Sequence, residues 1–378
     1  MKNIWLSQAE IAALPTSGTA WDNVVKYANA ATGAADLVDQ ESNNNVCCLA
    51  AALVYARTGD QTALKHVKDS LAAITAFDVA KLGRALALGR ELAAYVIAAD
   101  LIDYNDSAFN DKIRALLTAK TTSGPANLIA CQKQRPNNWG MHATASIVAV
   151  YAYLGDKAGL DSAANIFKGW LGDRNAYAGF TYGELDWQAD PSKPVGVNPK
   201  GATKNGHSIG GALPDDMRRG GAFAWPPKAT GYPWEALQGA TVAAQILSRV
   251  GGPIYPYPAW EWCDKALLRA VQFLYSIDWP ATGDDGWQPW LINAAYGSTF
   301  PTTQTGTTGK NMGFTSWTHA APVIVKPPVD PPPPPPPPDP TPTPQPDVAA
   351  ALATLNGMKT DLVNLLAKVQ QTIAALGG

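Results

Sequence analysis

Apolar residues recur at steps of three and four over long stretches of the chain, a period that predicts helices. Ala- and Leu-rich windows at 46–57, 82–101 and 146–154 carry it most clearly. Three helical stretches close alike: YARTGD at 55–60, YAYLGD at 151–156 and LSRVGG at 247–252. Their glycines, Gly59, Gly155 and Gly251, are spaced 96 residues apart. Gly or Asp after the last periodic residue signals a helix end. A further helical stretch follows each, and about two hairpins of helices about 11–12 residues long fit such an interval. Repeated hairpins that share one core build a solenoid or toroid. The fold class expected for 1–320 is all-α, an (α/α) toroid of helical hairpins.

Two stretches lack the period. Residues 180–231 and 281–319 are rich in Gly, Pro, Asn and Asp, and irregular segments of that length are usually functional. They are expected to cover one end of the helical body. Beyond it the composition shifts again. Fifteen prolines fall between Pro322 and Pro346, eight of them consecutive, so 321–347 reads as a stiff polyproline spacer. In 348–378, Val348, Leu352, Leu355, Leu362, Leu366, Val369, Ile373 and Leu376 alternate four- and three-residue steps, broken only by Lys359. That is a coiled-coil seam, and it predicts a homo-oligomer, a dimer or a trimer.

Of 378 residues, 46% are hydrophobic and only 16% charged; 29 basic and 31 acidic residues leave a net charge of −2. The near balance, with no basic block, speaks against a nucleic-acid partner. No apolar run is long enough to cross a membrane, so no membrane insertion is expected. Cys47, Cys48, Cys131 and Cys263 show neither a disulfide framework nor metal-ligand spacing, and read as free thiols. No metal or other cofactor is expected. The N-terminal stretch lacks the apolar core of a signal peptide. With the spacer and the seam, this suggests an extracellular or virion-associated protein, such as a phage-tail component. Thirteen Trp and thirteen Tyr fit either sugar stacking or a large core.

The chemistry concentrates at two helix starts. In RPNNWGMHATAS (135–146), Asn137 or Asn138 is placed to cap a helix, and His142 lies one turn after Asn138. In GYPWEALQGA (231–240), Pro233 suits a first turn and Tyr232 precedes it. Between them LPDDMRRGG (213–221) supplies Arg218 and Arg219. Each residue alone reads equally well as a cap, an ion pair or packing. Together, Asn, His, paired Arg and Tyr are the set needed for β-elimination across a uronic acid. Asn or Arg hydrogen bonds neutralise the carboxylate and stabilise the enolate-like charge, a base removes the C5 proton, and an acid protonates the leaving oxygen.

LPDDMRRGG followed by YPWEALQGATVAAQIL resembles the alginate lyase family of polysaccharide lyases, whose LP-x-E-M-x-R-G segment precedes a Tyr that opens an AL-rich helix. The Asn-Asn of RPNNWG is similar to the family's Asn-Asn-His. The resemblance implies an (α/α) toroid over most of 1–320, with Asn138 neutralising the carboxylate, Arg219 supporting it and Tyr232 catalytic. The sequence departs from the family pattern twice. Trp139 stands where the family has His, leaving His142 as the nearest substitute, and Arg219 and Tyr232 lie thirteen residues apart. Asn137, Trp139, Arg218, His207, Trp187, Trp225, Trp234 and Trp287 are the expected substrate-binding residues of an acidic polysaccharide site, for instance on a bacterial surface or capsular glycan. Two other readings stay open. A pair among Glu184, Asp186, Asp190, Asp215, Asp216, Asp284 and Asp285 suits a glycoside hydrolase. A groove lined by Trp187, Trp225, Trp234, Trp287 and Trp290 suits a glycan-binding tail protein without catalysis.

Overall fold

The computed structural model describes residues 1–250, 257–303, 309–320 and 348–375. The chain divides into two units, Met1–Val323 and Ile324–Gly378. The first is helical. It opens with α1 (Gln8–Ala13), α2 (Thr19–Asn29), α3 (Asn44–Thr58), α4 (Gln61–Ala76), α5 (Ala85–Leu101) and α6 (Ser107–Leu116). α7 (Leu128–Gln134), α8 (Asn138–Leu154) and α9 (Lys157–Trp170) follow, then the one-turn α10 (Pro214–Met217), α11 (Tyr232–Arg249) and α12 (Trp262–Ser276). α13 (Gln288–Tyr296) and the one-turn α14 (Thr315–Thr318) complete it. The sheet content among the described residues is a two-stranded antiparallel ribbon, β1 (Thr203–Lys204) against β2 (His207–Ser208).

Burial sorts the long helices into two kinds. Every residue of α5 is buried, and α3, α8 and α11 are buried over most of their surface, as helices apolar on all sides must be. α4, α6, α9 and α12 bury one stripe each, for example Ala63, Val67, Ser70, Leu71 and Ile74 of α4. The buried helices pack in succession, α3 on α5, α5 on α8 and α8 on α11. The one-sided helices lie against them, α4 on α3, α9 on α8 and α12 on α11. α11 also meets α13, α13 meets α14, α14 meets α2, and α2 packs on α3. Glycines set the tightest crossings. A side-chain carbon on Gly89 of α5 would lie 2.9 Å from the Ala143 nitrogen, and one on Gly239 of α11 2.3 Å from the Met141 carbonyl. Any larger residue there would push α5 or α11 away from α8.

Gly59 and Gly155 close α3 and α8 with φ of 77° and 69°, the left-handed region where a side chain is strained. The next residues, Asp60 and Asp156, cap the following helices by accepting from the backbone N–H of Ala63 (2.9 Å) and Gly159 (3.0 Å). The repeated Gly-Asp thus stops one helix and starts the next; its Asp belongs to the second helix, not to the end of the first. Gly251 lies outside the described residues. The even two-hairpin spacing does not persist, because the interval after Gly155 holds α9 and then a long irregular segment with the one-turn α10 before α11.

That segment is pinned by its own side chains. Fully buried Asn198 donates to the Trp187 carbonyl (2.9 Å) and accepts from Ala189 N–H (3.1 Å). Gln188 exchanges bonds with both backbone groups of Val195. The stretch 281–319 is more regular than its composition predicts, since it contains α13, with Pro289 in its first turn and Gly297 at its end. The proline-rich stretch lies outside the described residues. In the second unit the described element is α15 (Val348–Ala375). Its Leu352, Leu355, Leu362, Leu366, Val369 and Ile373 are all exposed. No described helix is long and apolar enough to cross a membrane.

Candidate functional site

The two motifs singled out in the sequence meet at the N-terminal ends of α8 and α11. Asn137 is the N-cap of α8, accepting from Trp139 N–H at 3.2 Å, and Asn138 is its first helical residue. The paired asparagines face the paired aspartates of α10. Asn137 Nδ2 donates to Asp215 (2.8 Å), and the Asn138 backbone N–H donates to Asp216 (3.0 Å). Asn138 Nδ2 reaches Glu235 Oε2 on α11 at 2.8 Å, and the same oxygen accepts from Arg90 Nη2 of α5 at 2.7 Å. Arg90 also donates through Nε to His142 Nε2 at 3.4 Å. One buried guanidinium therefore ties α5, α8 and α11 together beside the close Gly89 crossing.

One turn before Glu235, Tyr232 opens α11, half-buried, with the Arg219 guanidinium 3.9 Å from its ring centroid. Of the expected catalytic residues, Asn138, Arg219 and Tyr232 are thus gathered around one helix turn. His142 joins them only through Arg90. It is fully buried, and burial, followed by the charges of Arg90 and Lys310, holds its pKa well below the usual imidazole value. A base titrating near ~6.5, the behaviour expected of His142 in catalysis, does not fit that environment.

The expected binding residues divide. Arg218 is committed to the protein, bonding Asp215 through Nε at 2.7 Å and pairing with Glu184. Trp187, Trp234 and Trp287 are 2%, 4% and 3% exposed, so they are core residues and not the stacking faces expected of them. Trp187 and Trp234 also spend their indole N–H groups on the carbonyls of Gly221 and Trp279. Trp139 is half-buried against the core. Trp225 keeps an exposed face and stacks on His207, with centroids 4.5 Å apart and planes 10° apart. Trp290 is half-buried, its N–H bound to the Thr303 carbonyl.

Sequence reasoning did not find Arg90, Glu235, Glu41, Lys310 or Asn45, which complete the polar cluster. Glu41, exposed before α3, pairs with Lys310 at 2.5 Å and lies 3.7 Å from Arg90. Asn45, fully buried, donates to the Lys310 carbonyl at 2.9 Å. Asp285 accepts from Gln238 at 2.7 Å. Burial, aided by the charges of Glu235 and Asp284, pushes its pKa up to about 7. Asp216 is fully buried and its carboxyl is raised well above the usual range, by burial and then by Asp215. The one available signal for Arg90 was its place, with Glu91, inside an otherwise apolar helix, where a charge demands a partner.

The cluster combines a phenol, a carboxamide, three cations (Arg90, Arg219 and Lys310) and several carboxyl groups, enough for proton transfer beside a bound anion. Among the described residues no group of three or more His, Cys, Asp or Glu side chains is arranged to hold a metal ion. No known family model matches the chain, and no curated protein sequence matches it either.

Proposed function

We propose that the body is a polysaccharide lyase that cleaves an acidic, uronate-containing glycan by β-elimination. The observation that carries this reading is the junction at the start of α11. Arg219 lies over Tyr232 at 3.9 Å, and Asn138 is tied to Glu235 one turn further on. Arg219 takes the carboxylate of the sugar and stabilises the charge that grows as the C5 proton leaves, with Asn138, only 1% exposed, supporting that end of α11 from behind through Glu235. The Tyr232 oxygen takes that proton, beside the Arg219 guanidinium that lies over its ring. The electron pair forms the C4–C5 double bond, the C4–oxygen bond breaks, and the Tyr232 hydroxyl returns a proton to the leaving oxygen. His142, sealed in the core, has no part in these transfers.

The (α/α) toroid is part of the proposal. It is supported by the succession of buried helices, each backed by a one-sided one, and by the contacts leading from α11 through α13 and α14 to α2 and α3. α15 is read as the homo-oligomerisation helix, since its apolar seam faces solvent within a single chain. Such an element suits a protein mounted on a larger extracellular assembly, a phage tail being one example.

A second reading, hydrolysis, is favoured by Asp285, whose pKa near 7 suits a general acid opposite Glu235. The deciding experiment is incubation with a panel of acidic polysaccharides, reading both new reducing ends and the ultraviolet absorbance of an unsaturated uronate. Both signals together are expected. Reducing ends without absorbance, abolished by Asp285→Asn, would establish hydrolysis instead. Binding with neither product would mark a glycan-binding protein.

A further inference from the structure

Lys310 and Arg90 are fixed relative to each other by the protein interior. Arg90 is 2% exposed, anchored by Glu235 at 2.7 Å. Lys310 is anchored through its backbone, because Asn45 Nδ2 donates to its carbonyl at 2.9 Å, while the same amide lies 3.5 Å from the Arg90 carbonyl. Asn45 is itself fully buried. The Arg90 guanidinium is therefore held from behind and the Lys310 backbone is fixed beside it, and both cations turn toward one carboxylate, that of Glu41.

Glu41 is held differently. Its side chain is 55% exposed, and its backbone belongs to an outer turn organised by Asp36 and Asp39. Nothing in the core needs its charge, because Arg90 already has Glu235. An ion pair with so exposed a partner contributes little to folding. The structure thus holds a built pair of cations occupied by a removable carboxylate.

We propose that Arg90 and Lys310 form a subsite for a uronate carboxylate of the glycan, and that Glu41 stands where that carboxylate binds. This deepens the lyase reading and rests on it, since it supposes an acidic polysaccharide. The subsite adjoins the elimination centre, because Arg90 and Asn138 share the same Glu235 oxygen. A sugar carboxylate entering here displaces Glu41 into solvent, and both cations keep a counter-charge throughout. Chain after chain of an anionic polymer can be accepted without exposing a bare buried charge.

The test is calorimetric binding of uronate tetrasaccharides and their carboxyl-reduced counterparts, in a Tyr232→Phe background that slows cleavage by about 10²–10⁴. With Glu41 occupying the cations most of the time, its removal raises apparent affinity by the inverse of the free fraction, about three- to tenfold. Glu41→Gln is therefore expected to tighten uronate binding by that factor and to leave the carboxyl-reduced sugars unchanged. Lys310→Met is expected to weaken uronate binding about tenfold, with an unaltered thermal melt showing that the body is intact. If uronates bind but Glu41→Gln leaves affinity unchanged or lowers it, the subsite is refuted and the acidic-glycan reading survives. If no uronate binds any of the proteins, or the reduced sugars bind equally well, both are refuted.

Discussion

Replacing Glu91 by Gln should change how stability depends on pH, by an amount the structure fixes. Glu91 sits inside α5 with no exposed surface, and neither carboxyl oxygen has a hydrogen-bond partner. Burial, then the negative charges led by Asp36, pushes its pKa up to about 10. The folded protein therefore keeps this carboxyl protonated at neutral pH, whereas the unfolded chain releases the proton above 4.5. A raised folded pKa gives its full contribution below the unfolded value and loses it as pH climbs toward the folded one. Each pH unit in that window costs about 1.4 kcal/mol. From pH 4.5 to 7 the loss is about 3 kcal/mol. Gln has no proton to lose, so the stability of Glu91→Gln relative to the parent should rise by about 3 kcal/mol between pH 4 and pH 7. Equilibrium urea unfolding, followed by tryptophan fluorescence on both proteins across this range, gives the difference directly. A difference that stays flat with pH would show that Glu91 is charged and paired in the folded state, and the reasoning would fail.

Tyr232→Phe keeps the ring under Arg219 and removes only the hydroxyl. Turnover on the best acidic polysaccharide should fall by about 10²–10⁴ with the melting temperature unchanged, and near-normal turnover would remove Tyr232 from the mechanism. His142→Asn should leave the shape of the pH–rate profile as it was, because the buried imidazole is already neutral across the working range; disappearance of an acid limb would return His142 to catalysis. In the tail, Leu362→Lys combined with Leu366→Lys places two charges on the seam. Light scattering should then give the mass of one chain where the parent gives a multiple, and an unchanged mass would exclude the seam as the contact.

The helical character was legible in the sequence because α3, α5 and α8 are long Ala- and Leu-rich runs of four turns or more, apolar nearly all round because they are buried nearly all round, and the Gly-Asp pairs mark where α3 and α8 end. α13 was hidden. Its own signals, Pro289 at the start and Gly297 at the end, lie in a stretch whose Gly, Asp and Thr content resembles a loop. The site was half legible. Asn138, Arg219 and Tyr232 stand in recognisable local motifs, and tertiary contact brings them together. Arg90 stands in no such motif, and Glu235, though inside the second one, looks like any first-turn acid; they are 145 residues apart, and only the crossing of α5, α8 and α11 makes them partners. The tryptophans misled for a physical reason. An indole suits a sugar face and a helix interface equally well, and Trp187, Trp234 and Trp287 went to the interior, where burying a large ring is most favourable. His142 was aligned correctly with Asn138 along α8, but helical spacing does not tell an inward face lined by Arg90 from one open to substrate.

The side-chain pins of the segment between α9 and α11 bear on how this protein can diversify. Asn198 and Gln188 satisfy the backbone of that segment from within it, while Gly196 against Trp170 of α9 and Gly211 against the Arg269 carbonyl of α12 seat it on the helices beneath. Asp215 and Asp216 join it to α8, Asp215 accepting from Asn137 and from Gly183 N–H, and Asp216 from the Asn138 N–H. Within that segment the stretch 184–212 can vary apart from α10 and Arg219, which meet α8 and Tyr232, while the glycine-tight contact of α5, α8 and α11 stays as it is. Sequence change is therefore tolerated best where the segment holds its own backbone, and least at Arg219, Asp215, Asp216 and the three crossing helices.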